Sequence, residues 1–139
     1  MLIRNILEES VRKFDEVKAV KWLKKKEIME RSYGELMENV VSTRKGLLAE
    51  GFEGKHIALI GTSSVEWMES YLGIITGCTT AVPLDAALPC EDLIDLLNRS
   101  DSVALFLSPK LKPYLDAFLE NCPKLQKVWM LQEEVEDAP

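Results

Sequence analysis

Four short apolar runs, at residues 56–60, 79–82, 103–107 and 127–131, begin roughly 22 to 25 residues apart, and helix-forming segments fill the gaps. The first, His56-Ile57-Ala58-Leu59-Ile60, lies between Gly54 and Gly61, as expected of a strand buried on both faces. Parallel strands cannot be joined by tight turns. They need crossovers, usually helical and almost always right-handed. The spacing therefore predicts an α/β fold of three layers, a mostly parallel open sheet with helices on both faces.

The gaps carry start and stop signals. Ser63-Ser64-Val65-Glu66 reads as a capping box opening a helix with its apolar face at Val65, Met68, Leu72 and Ile75, and Gly77 as its end. Pro83 is expected to end the second strand. Pro89, with Glu91 and Asp92 in a first turn, is expected to begin a helix through Leu93, Ile94, Leu96 and Leu97. Pro113 then opens a helix through Tyr114, Leu115, Phe118 and Leu119, stopped by Asn121 and Pro123.

Upstream the period differs. Ile3, Ile6, Leu7, Val11 and Phe14 form a helical stripe, and residues 17–23 and 27–31 read as a small N-terminal hairpin around the charged turn Lys24-Lys25-Lys26. Ser32-Tyr33-Gly34-Glu35 is a second capping box. It opens a helix with Leu36, Val40, Thr43 and Leu47 on one face, ending near Glu50 with Gly51 as a left-handed cap.

Composition sets further bounds. The 139 residues suit one domain, and 47% hydrophobic with 29% charged residues is the balance of a folded chain. A formal net charge of -6 gives no overall drive toward nucleic acid. The acidic start, Glu8-Glu9, does not fit a signal peptide, and no apolar run has transmembrane length, so a cytoplasmic location is expected. Cys78, Cys90 and Cys122 have neither disulfide-framework nor metal-site spacing and read as buried or idle thiols. Residues 132–139 are acidic and read as a linker or disordered tail.

Open parallel sheets bind ligands beyond the carboxyl ends of their strands, so chemistry is expected after Ile60, Val82 and Leu107. Little of it is there. Gly61-Thr62-Ser63-Ser64 has one glycine where a dinucleotide fingerprint needs three, and Gly54-Lys55 lacks the remainder of a phosphate loop. A nucleophile elbow at Ser63 fails because Val65 replaces its last glycine. The single histidine, His56, opens the same strand, about 13 Å of extended chain away, and reads as a partly buried strand-end residue. Asp85 lacks the acidic pair and lysine that a phosphoacceptor needs. Trp67 and Trp22 read as core or rim aromatics. On these grounds the chain has no catalytic residues and no metal site of its own.

The order of segments says more. Arg31-Ser32-Tyr33-Gly34-Glu35-Leu36 is followed by Leu47 to Gly51 and Gly54-Lys55-His56-Ile57-Ala58-Leu59. Then come Glu66-Trp67, Tyr71-Leu72-Gly73-Ile74-Ile75-Thr76-Gly77 and Ala81-Val82-Pro83-Leu84-Asp85. This resembles the N-terminal portion of the adenylate-forming (AMP-binding) superfamily, particularly acyl-CoA synthetases of the fatty-acid type, over residues 3–131. Ser63 or Ser64 stands where that family often has Asn, His56 where it has Asp or Arg, Ala86 where it has Pro, and Leu88 where it has Ser or Thr.

The resemblance implies an enzyme that joins a carboxylate to ATP as an acyl-adenylate and passes the acyl group to CoA, with ATP, Mg and CoA as cofactors of the whole enzyme and none held by this chain. The family's phosphate loop, adenine motif, ribose-binding Asp and C-terminal lysine all come later. Residues 1–139 are accordingly expected to be an N-terminal subdomain, inactive alone, whose partner is the remainder of the same polypeptide. The resemblance places Pro83, Leu84 and Asp85 near the CoA nucleotide; read from the residues alone they are a strand end and a turn. Two alternatives stand beside it: a fragment of an amino-acid adenylation domain loading a carrier protein, and a freestanding, non-catalytic α/β binding domain. A fragment should expose an apolar patch where the rest belongs.

Overall fold

Ser32 fixes where the long helix of the chain begins. Its Oγ accepts the Glu35 amide at 3.1 Å, and its own amide donates to Glu35 Oε1 at 3.0 Å, the reciprocal pair of a capping box. The computed structural model describes residues 18–24, 27–61 and 64–131, together with Ile3, Ile6, Glu8 and Glu9. Strands β1 (Lys18–Lys24) and β2 (Glu27–Ser32) pair antiparallel as the expected hairpin, apart from the sheet. Helix α1 (Tyr33–Ala49) follows at once.

The end of α1 is equally specified. Gly51 takes φ 76°, Phe52 N donates to Leu47 O at 3.2 Å and Gly51 N to Leu48 O at 3.0 Å, a Schellman closure with Phe52 and Leu47 packed in one cluster.

Then come β3 (His56–Ile60), α2 (Val65–Ile75), β4 (Thr80–Leu84), α3 (Cys90–Arg99), β5 (Ala104–Leu107), a 3-10 segment (Pro109–Tyr114), α4 (Leu115–Asn121) and β6 (Lys127–Met130). The four strands β3 to β6 are parallel, in the order β4-β3-β5-β6. Alternation along them divides the core. Ile57, Leu59, Ala104 and Phe106 face the side of α1 and α2, while Ala58, Ile60, Leu105 and Leu107 face α3 and α4 with Leu93, Leu97 and Phe118. This is the three-layer α/β architecture with helices on both faces and a small N-terminal hairpin.

Several local expectations change. Pro83 does not end its strand: β4 runs through it to Leu84, paired with β3 on one side only, and an edge strand can spare the N–H that proline lacks. The N-cap of α2 is Ser64, whose Oγ accepts the Trp67 amide at 3.0 Å, which puts Glu66 one position short of a capping box. Its buried stripe is rotated to Val65, Glu69, Ser70, Gly73 and Ile74, leaving Met68, Leu72 and Ile75 half-buried.

Gly77 is no left-handed cap. Thr76 closes α2, Cys78 takes φ 59°, and Gly77 is small because a Cβ there would lie 2.7 Å from Arg44 Cγ. Pro113 sits inside the 3-10 segment rather than opening α4, and Leu119 is exposed. His56 is exposed, with Nδ1 2.6 Å from Ser100 O. Cys122 is buried, Cys90 half-buried and Cys78 exposed. Ile3 and Ile6 are helical but exposed, whereas Leu7, Val11 and Phe14, Lys25 and Lys26, Thr62 and Ser63, the Trp22 side chain and the tail at 132–139 lie outside the described residues.

Candidate functional site

The strand order reverses between β3 and β5, and the loops leaving their carboxyl ends are where such a sheet keeps a ligand. Here that position is packed with side chains. A Cβ on Gly61 would meet Leu131 Cδ1 at 3.1 Å, with Ser108 Cβ and Trp67 Cδ1 both at 3.4 Å. Ser108 is buried, takes the Ile60 carbonyl through its amide at 2.9 Å and uses its Oγ to cap the 3-10 segment. Gly61 therefore sits close against its neighbours.

Pro83, Leu84 and Asp85 diverge. Pro83 is exposed on the sheet edge, Leu84 packs toward the α3 and α4 cluster, and Asp85 turns back on its own loop, where Oδ1 accepts the Ala87 amide at 2.9 Å. An Asx turn of this kind accounts for the aspartate locally.

A groove of about 440 Å³ opens elsewhere, between α1, α2 and the strands β5 and β6. Phe106 and Trp129 form its floor, stacked with centroids 5.1 Å apart, and Leu131 extends it. Its wall carries the polar residues that rotate α2's stripe. Glu69 is buried, accepting Asn39 Nδ2 at 2.6 Å and facing Arg31 Nε at 3.2 Å; Arg31 Nη2 stands 4.0 Å from Glu66. These contacts tie β2, α1 and α2 together. Burial pushes the Glu69 carboxyl above the ordinary range, against the opposing pull of Asn39 and Arg31.

Sequence reasoning missed this cluster. Glu69 and Ser70 fall on the face that α2 buries, beside the apolar stripe read from the sequence, but the partners of Glu69, Asn39 and Arg31, lie 30 or more positions away. Arg44 on α1 is a buried cation that lays its stem against Gly77 and leaves Nη1 without a partner among the described residues.

The chemistry of the groove is limited. Glu66 and Glu69 face one guanidinium that they already share, so the residues present do not fit the polyanionic phosphates of a nucleotide. Among the described residues no three His, Cys, Asp or Glu side chains are grouped to hold a metal ion.

The architecture is shared with known proteins. The chain is similar to coronafacic acid ligase from Pectobacterium brasiliense, with 20% identity and a TM-score of 0.86, covering 100% of this chain and 27% of that one. It is similar to the N-terminal domain of FACL13 from Mycobacterium tuberculosis, at 18% identity and TM-score 0.83, covering 100% of this chain and 38% of that one. It also resembles the anthranilate CoA ligase AuaEII solved with anthranoyl-AMP, at 18% identity and TM-score 0.82, covering 94% and 25% respectively. The chain thus spans well under half the length of these structures, and no curated protein shows significant similarity to it. The family model described as AMP-binding enzyme matches residues 7–138, nearly the whole sequence, and the chain belongs to that family.

Proposed function

We propose that this chain is the N-terminal portion of an ATP-dependent acyl-CoA synthetase acting on fatty acids in the cytoplasm. The observation that carries this reading is the family match across residues 7–138, in a chain that provides the family's opening segments and none of its phosphate-binding or lysine chemistry. In the whole enzyme a carboxylate oxygen attacks the α-phosphorus of ATP, the bond to pyrophosphate breaks, and the thiol sulfur of CoA then takes the acyl group with release of AMP. The part of these 139 residues is structural. They form sheet, helices and hairpin, and Pro83, Leu84 and Asp85 are proposed to lie beside the bound CoA nucleotide.

The test is carboxylate-dependent ATP–pyrophosphate exchange, with medium- and long-chain fatty acids as substrates, by the native polypeptide that carries this sequence with the remaining ligase segments. Exchange followed by CoA-thiol consumption is expected from that polypeptide and not from the 139-residue chain alone. Exchange without use of CoA, but with loading of a carrier protein, would move the chain to the amino-acid adenylation class. Exchange by neither species with any carboxylate would leave a non-catalytic binding domain.

A further inference from the structure

We draw no further inference here: the strongest candidate, the open pocket of about 380 Å³ at the amino ends of β3, β5 and β6, where Lys55, His56 and Lys124 surround Asp101, carries nothing because Lys124 and Asp101 already answer each other and, among the described residues, no buried polar side chain without a partner lines it to mark a ligand.

Discussion

The two faces of the sheet are built to different standards. On the side of α3 and α4, Ala58, Ile60, Leu105 and Leu107 meet Leu93, Leu97, Phe118 and Cys122, an apolar interior. On the side of α1 and α2 the apolar cluster is interrupted by buried Glu69, Ser70 and Arg44, and it borders a groove. A charged side chain is buried at a cost unless it is paired. Among the described residues the first face is an unbroken apolar layer, whereas the second carries polar and charged groups within it and a groove beside them.

The sharpest test of the contrast is a pair of truncations. Phe118→Ala, in the closed layer, is expected to cost about 3–5 kcal/mol in urea unfolding, and Trp129→Ala, on the groove floor, about 1–2 kcal/mol. Equal losses would erase the distinction. Next in size is Gly73→Val at the α1–α2 contact, where a Cβ would stand 2.6 Å from Thr43 Cβ. Overpacking there should cost about 1–3 kcal/mol, and a neutral result would show that the helix pair is loose.

Ser32→Ala removes the acceptor of the α1 cap and should lower stability by about 1 kcal/mol. A smaller effect concerns pH. Burial raises the Glu69 pKa above the value of 4.5, so the folded state holds that proton more tightly than the unfolded chain does. Stability tied to Glu69 is therefore greatest below 4.5 and falls as pH rises through its folded pKa. Urea midpoints against pH for Glu69→Gln should lack that decline, and superimposed profiles would place the carboxylate in water. The least effect is expected at the exposed Asp101–Lys124 pair. Asp101→Asn should lower the unfolding midpoint only slightly near neutrality. That small difference should vanish under acid, where wild type loses the contribution as pH falls through the lowered Asp101 pKa.

Much of the fold was legible because its signals are local. The apolar run of β3 between two glycines, the Ser32–Glu35 box and Gly51 each act within a few residues, and each stands where the sequence puts it. The misread positions depend on distant ones. Pro83 can lie inside β4 only because β4 is an edge, and edge position is a property of strand order. Gly77 answers to Arg44 from another helix, although alone it looks like a cap. The groove was invisible for the same reason: Phe106 and Trp129 read as ordinary strand residues until the strand order and the seats of α1 and α2 are known.

The measurement that tests the account most directly is ANS fluorescence of the native 139-residue chain at neutral pH. One open face predicts a saturable enhancement that Gly46→Glu, placing a charge at the groove, abolishes and that Asp95→Lys on the outer side of α3 leaves intact. No enhancement, or an enhancement indifferent to Gly46→Glu, would contradict the contrast between a closed α3 and α4 face and a grooved α1 and α2 face.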